Sequence, residues 1–248
     1  MSVSAAEEAV IWHDVENGAY DADLGLWREL AAEAGGPILE VGCGTGRVAL
    51  ELARHGHHVQ GIDIEPPFVD ALRERAAAKD LEASAEVGDV RNLQVNGSFP
   101  LIIVPMQTIQ LLADTGERRS ALSSLRAHMA ERGLIALAIV DGDLGAGPSG
   151  MDVAPPLPDV AEIGGWVYSS LPVELRTEPG YLVVSRLRQI VTPDGDLTEE
   201  RSDLRLAVLD SDLVEGEAAD AGLRPAGRRE IGETNAHVGS AVVLLEAA

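Results

Sequence analysis

With 248 residues, the chain has room for one large α/β domain or for an ordinary domain carrying an insertion. A formal net charge of −22, from 41 acids against 19 bases, argues against polyanionic partners such as nucleic acid, and a single cysteine, Cys43, excludes an internal disulfide or a multi-cysteine metal site. Apolar residues make up 46% but aromatics only 3%, so the core is expected to be built from Val, Leu, Ile and Ala, as suits a parallel sheet.

Residues 1–20 read as a mobile start that becomes ordered around Val10-Ile11-Trp12-His13-Asp14, and two of the scarce aromatics, Trp12 and Tyr20, are spent there. From 21 to 34 the apolar positions Leu24, Trp27, Leu30 and Ala31 recur at helical spacing, and Gly35-Gly36-Pro37 ends that helix. The apolar run Ile38-Leu39-Glu40-Val41 then meets the turn Gly42-Cys43-Gly44-Thr45-Gly46, which opens directly into a helical pattern. Glycine is needed where the backbone takes φ > 0 or a ligand lies against it. A dinucleotide-binding G-x-G-x-x-G turn would put its third glycine at 47, where Arg47 stands. Glu40, two residues before the first glycine, is misplaced for a phosphate and well placed for a positively charged ligand. Cys43 reads as a small buried side chain within that turn.

The pattern formed by Glu40, Gly42, Gly44 and Gly46 resembles the first motif of the class I S-adenosylmethionine (SAM)-dependent methyltransferases. The resemblance implies a Rossmann-like sheet, SAM as methyl donor and S-adenosylhomocysteine as product. It also implies an N-terminal piece folded over the cofactor, with Tyr20 among the cofactor-binding residues. Trp12 and Tyr20 then form a lid, although aromatics that merely anchor the N-terminus to the core fit the sequence equally well.

A helix over 48–55 closes at Gly56, and 57–63 forms a second strand ending on Asp63, where an acid can accept two hydrogen bonds from a ribose diol. His57 and His58 have no third ligand nearby, so no metal site is expected. Pro66 and Pro67 start a helix that runs to 78, followed by a weak strand over 83–87 and the exit Gly88-Asp89-Val90. The resemblance makes Asp89 the acceptor of the adenine amino group and sets Ile64 and Val90 on the two faces of the ring. Strand four covers 99–105. The segment after it, Met106-Gln107-Thr108, lacks the Asn/Asp-Pro-Pro-aromatic run of methyltransferases acting on base amines or glutamine. It resembles instead the small-molecule branch, in which Met106 and Gln107 border the sulfonium. A helix over 117–131, terminated by Gly133, leads to strand five at 134–140.

The alternation then stops. A Gly/Pro-rich loop over 141–158 launches three segments, 166–175, 181–191 and 197–209, joined by hairpin turns and expected to form one wall of the acceptor pocket. A helix through 221–222, a strand over 223–231 and a final strand over 238–246 complete the chain. The fold class is α/β: a doubly wound, mostly parallel seven-stranded sheet with an antiparallel last strand, plus an antiparallel β insert after the fifth strand. The division is an N-terminal helical lid at 1–36, a SAM-binding core at 37–141, the insert at 142–210 and completion of the core at 211–248.

These features indicate methyl transfer from SAM to a small-molecule acceptor with an oxygen or nitrogen nucleophile. The alternatives are an inactive SAM-binding scaffold and, disfavoured by the glycine spacing, an NAD-linked oxidoreductase. A general base for a hydroxyl or ammonium acceptor is sought among histidines. His55, His57 and His58 belong at the amino end of the sheet, and His128 lies on a surface-facing helix turn. His237 is thereby favoured over His13, each being also an ordinary loop or lid histidine. No nucleic acid or membrane partner is expected, monomer and homodimer both stay open, and the absence of a signal-like or membrane-spanning run points to the cytoplasm.

Overall fold

The structure, a computed structural model, describes residues 3–141, 157–234 and 238–248. Helix α1 (Ala5–Asn17) is started by a reciprocal capping box: Ser4 Oγ accepts the Glu7 N–H at 3.2 Å, and the Glu7 carboxylate accepts the Ser4 N–H at 2.9 Å. Regular structure therefore begins before Val10. The Ser4-x-x-Glu7 spacing signals it, and a reading based on hydrophobic residues alone misses it.

In chain order follow α2 (Leu24–Ala34), β1 (Ile38–Val41), α3 (Arg47–Arg54), β2 (Val59–Asp63), α4 (Pro66–Ala78), β3 (Ala83–Val87), β4 (Phe99–Val104), α5 (Thr115–His128) and β5 (Met129–Ile139). After these come β6 (Asp159–Ile163), β7 (Trp166–Glu178), β8 (Tyr181–Val191), β9 (Leu197–Ala207), α6 (Ser211–Asp220), β10 (Leu223–Ile231) and β11 (Ser240–Ala247). One sheet has the order β10-β11-β5-β4-β1-β2-β3, with β11 antiparallel to both neighbours and the other pairs parallel. The second sheet, β6-β7-β8-β9, is antiparallel throughout.

The large sheet is covered on both faces, which is why its central strands read as unbroken apolar runs. Alternate residues of β4 divide between the layers. Leu101 and Ile103 pack with Trp27, Leu30, Leu52 and Leu72 from α2, α3 and α4, whereas Ile102 and Val104 pack with Leu122, Leu125 and Val214 from α5 and α6.

The sequence reading is corrected most at the end of α5 and at an additional strand. Helix α5 stops at His128, not near Gly133, because Met129 pairs with Phe99 and extends β5 backward. Gly133 lies inside that strand, where a Cβ would meet the Phe99 carbonyl oxygen at 2.9 Å. Strand β6, paired with β7 across Gly164-Gly165, was not expected: Asp159-Val160-Ala161-Glu162-Ile163 is short and carries two acids, and its partner supplies the stability. Among the described residues no helix is long and apolar enough to cross a membrane.

Candidate active site

The chain winds from β1 through β2 to β3 on one side and resumes at β4 on the other, so direction reverses between β1 and β4. Ligands of open α/β sheets bind outside the carboxyl ends of strands at such a point. Every sequence-predicted cofactor residue except Tyr20 and Glu40 follows or terminates β1, β2, β3 or β4 at this end, and Glu40 lies within β1 just below it.

Gly42, Gly44 and Gly46 have φ of 71°, 50° and 98°. The N–H groups of Gly42 and Cys43 donate to the Ile62 carbonyl at 2.8 and 3.1 Å, which fixes the turn on β2. A Cβ at Gly42 would stand 2.6 Å from Thr108 Oγ1, and one at Gly44 would stand 2.5 Å from His13 Cε1. Thr108, from beyond β4, and His13, from α1, thus close on the turn from two sides. Cys43 is buried, and burial together with the neighbouring acids raises its thiol pKa, so it is an inert packing residue.

Glu40 is the unusual group beneath the turn. It is 2% exposed, accepts the backbone N–H of Ala49 in the first turn of α3, and its Oε2 has no hydrogen-bond partner among the described residues. Arg47 is near, but its guanidinium is committed to Asp23 through two bonds of 2.7 Å and to the Tyr20 carbonyl at 2.8 Å. Burial pushes the Glu40 carboxyl up to about 8, against the opposing pull of Arg47. A buried acid lacking a cation of its own suits a ligand that brings one, such as the ammonium end of SAM, and is hostile to a pyrophosphate.

Asp63 closes β2 with its carboxylate turned back on the motif, Oδ2 accepting the Gly44 N–H at 2.7 Å and Oδ1 the Glu65 N–H at 3.0 Å. A carboxylate has about four acceptor positions, so room is left for a diol. Ile64 beside it is 57% exposed, an apolar surface facing no core, and Val90 is half-buried against the α5 layer. Asp89 is differently disposed from a free acceptor. Arg91 donates Nε to both its oxygens at 3.0 Å, Nη2 to Oδ2 at 2.6 Å and its backbone N–H to Oδ1 at 2.9 Å, and also pairs with Glu117. Hydrogen bonds from Arg91 hold the Asp89 carboxyl below the usual carboxylate range.

Met106 and Gln107 are consecutive non-glycine residues in the left-handed region, at φ 49° and 57°. Such backbone persists only where surroundings hold it, and here Gln107 Nε2 donates to Ser240 Oγ at 3.0 Å and Thr108 Oγ1 donates to the Pro105 carbonyl at 2.7 Å. Gln110 adds a clamp: buried, it donates to the Val140 and Ala207 carbonyls and accepts the Val140 N–H. It ties this segment to the strands through which the second sheet leaves and returns.

His13 lies over the turn, its Nδ1 3.2 Å from Thr45 Oγ1 and its ring centroid 4.5 Å from that of Phe68. Thr45 Oγ1 donates to Asp14 at 2.6 Å, so it must accept from His13 Nδ1–H, and that tautomer leaves Nε2 a bare acceptor toward Gly44. Burial lowers the His13 pKa, favouring the neutral ring. Tyr20 is buried in the α2–α3 layer with Arg47 5.1 Å above its ring. His237 lies outside the described residues. Thr45, Thr108, Arg91 and Arg75 escaped the sequence reading. Thr45 and Thr108 adjoin recognised segments, whereas nothing in the order of residues marks Arg75, 30 positions beyond the Thr45 carbonyl to which it donates.

The family model described as a methyltransferase domain matches residues 38–133. The cypemycin N-terminal methyltransferase of a Streptomyces species is 29% identical over 107 residues, 43% of each chain. A sugar N-methyltransferase from a Streptoalloteichus species superposes with a TM-score of 0.75 at 17% identity, covering 98% of this chain and 94% of that one. The SAM-bound amino pentose methyltransferase from Micromonospora echinaspora gives 0.69 at 18% identity, covering 98% of each. At these identities the solved structures establish the fold, and the chain spans 14% to 55% of the length of the curated relatives it matches first. Residues 38–133 thus match a methyltransferase domain, and the chain shares its fold with solved SAM-dependent methyltransferases.

Proposed function

We propose that this chain transfers the methyl group of SAM to a small-molecule oxygen or nitrogen nucleophile, releasing S-adenosylhomocysteine. The observation that carries the reading is Glu40, a buried carboxylate with an unpartnered oxygen beneath a three-glycine turn at the switch point of a class I sheet. When bound, SAM supplies an electrophilic methyl group on a sulfonium. In this reading Glu40 balances the ligand ammonium and Asp63 accepts from the ribose diol. Ile64 and Val90 flank the adenine, whose amino group Asp89 accepts by sharing its carboxylate with Arg91. Met106 and Gln107 border the reacting centre, and α1 with Tyr20 excludes water. Alignment of the acceptor supplies most of the rate, and His237 or His13 removes a proton where the acceptor has one to lose. Residues 1–36 act as lid, 37–141 as cofactor domain, 142–210 as acceptor cover and 211–248 as completion of the sheet. The small-molecule character is supported by the sugar and glycopeptide N-methyltransferases that share the fold. A cytoplasmic setting goes with a buried free cysteine.

Calorimetric titration with S-adenosylhomocysteine and with NAD tests the cofactor, and release of S-adenosylhomocysteine from SAM over a panel of amino sugars and hydroxylated acceptors tests the transfer. Binding of the first without NAD, with acceptor-dependent turnover, is the expected result. NAD binding alone overturns the reading, and cofactor binding with no turnover across the panel turns it toward a scaffold.

A further inference from the structure

Helix α1 is fastened at both flanks to different parts of the molecule. Toward the glycine turn, Asp14 accepts from Thr45 Oγ1 at 2.6 Å and from Arg75 Nη1 at 3.0 Å, Arg75 donates to the Thr45 carbonyl at 3.1 Å, and His13 covers Gly44. Toward the antiparallel sheet, Glu16 accepts from Arg188 Nε at 2.7 Å and Nη2 at 2.8 Å and from Ser170 Oγ at 2.7 Å. Trp12, one helical turn before Glu16, meets Tyr168 edge-on at 5.4 Å and lies under Arg188 at 5.0 Å. Trp12 and Glu16 share one face of the helix, and His13 and Asp14 project to the side of it.

The fastening is chemically well made on both sides. Glu16 and Arg188 are partly buried and joined as a two-pronged fork, the arrangement that combines energy with directional specificity. Trp12 and Tyr168 are 3% and 2% exposed and form, with Val15, a core separate from the two layers of the large sheet. His13 is packed onto the turn, since a Cβ on Gly44 would stand 2.5 Å from its Cε1, so a ligand on that side of Gly44 would meet it.

We propose that α1 transmits occupancy of the glycine turn to the antiparallel sheet, so that cofactor binding orders the surface against which the acceptor is held. This rests on the cofactor reading above. Glu16 and Arg188 are positioning residues in this scheme: they touch neither ligand and couple the helix to β7 and β8.

The test is hydrogen exchange of the full chain, read by mass spectrometry with and without saturating S-adenosylhomocysteine. The expected result is slowing of at least several-fold in 42–46, in α1 and, beyond direct reach, in β7 and β8. Arg188→Met, which keeps an apolar stem over Trp12, should retain protection of the turn and lose it in β7 and β8, and Glu16→Gln should weaken it in the same sense. Arg176→Met serves as control, since Arg176 bonds Ser185 and Asp203 in the same sheet without touching α1, and should leave the propagated protection intact. Protection that stops at α1 in the native chain, or that survives in β7 and β8 in both α1-side variants, overturns the coupling while leaving the cofactor reading standing. Absence of any binding heat or protection at 42–46 overturns the cofactor reading, and the coupling with it.

Discussion

Glu40 concentrates the electrostatics of the site in one side chain. Its carboxyl titrates at about 8 in the folded protein, against an ordinary value of 4.5, because burial disfavours the charge more than Arg47 favours it. The folded state therefore holds this proton more tightly than the unfolded chain. The resulting stabilisation is complete below about pH 4.5 and is lost progressively as pH rises through 8, at about 1.4 kcal/mol per pH unit in that window. Urea denaturation at pH 5.5 and pH 8 should show the native chain losing a few kcal/mol that Glu40→Gln does not lose, and saturating S-adenosylhomocysteine should shrink the difference by supplying a cation. Equal pH dependence of the two proteins would remove Glu40 from this role. Asp63 makes a complementary case, because two of its acceptor positions already serve the Gly44 and Glu65 amides. In its proposed role, Asp63→Ala would remove two ligand hydrogen bonds, worth about 1.5–3 kcal/mol each to a charged group, and loosen the turn. Affinity for S-adenosylhomocysteine, measured by calorimetry, should fall at least roughly tenfold with the protein still folded.

At the scale of elements, α5 and α6 are joined by a buried pair that sequence reading did not anticipate. Arg118, 4% exposed, gives Nε and Nη2 to Glu217 at 2.8 and 2.6 Å, and its other donors reach the Leu112 and Ala113 carbonyls and Thr115 Oγ1. Breaking such a pair strands a charge, at about 3–5 kcal/mol, so Glu217→Ala should lower the thermal midpoint sharply, whereas exposed Arg119→Ala, which loses only Asp220, should barely move it. Equal effects would show that burial of the pair is unimportant. What was legible follows the same division between local and distant causes. The glycine turn, the place of Asp63 at the end of β2 and the alternation from β1 to β5 were readable because each is a local pattern: an apolar run, a turn residue at a fixed offset, a proline at a helix start. The doubly wound, mostly parallel character of the large sheet was readable from that alternation, and its strand order was not. Strand β6 and the early start of β5 depend on partners that the local pattern does not name, whereas Arg91 reaches Asp89 from only two residues on. The Asp14–Arg75 and Glu16–Arg188 contacts join residues 61 and 172 positions apart, and no spacing announces them.

For the whole molecule, net charge decides which acceptors can approach. The nearest thing to a basic stripe, Arg224 with Arg228 and Arg229, is neutralised in place: Arg224 pairs with Glu246 at 2.6 Å, Arg228 with Glu215 at 2.7 Å and Asp212 at 2.5 Å, and Arg229 with Glu29. Binding a nucleic acid requires cations free to replace the counterions condensed on its phosphates, and it leaves its signature as a steep fall of affinity with salt. Here those arginines are already matched, and the remaining field carries a formal charge of −22. Repulsion of that size acts over a Debye length of about 8 Å at physiological ionic strength, enough to oppose every phosphate near the surface. The same field attracts a cationic amine toward the crevice. Transfer RNA and duplex DNA should therefore show no binding at physiological salt in a fluorescence anisotropy titration, and lowering the salt should not rescue it. Turnover of an aminated acceptor should instead gain in kcat/KM as salt is lowered, while that of an uncharged acceptor stays level. Micromolar binding of either nucleic acid with a steep salt slope would overturn the argument and point to a polyanionic substrate.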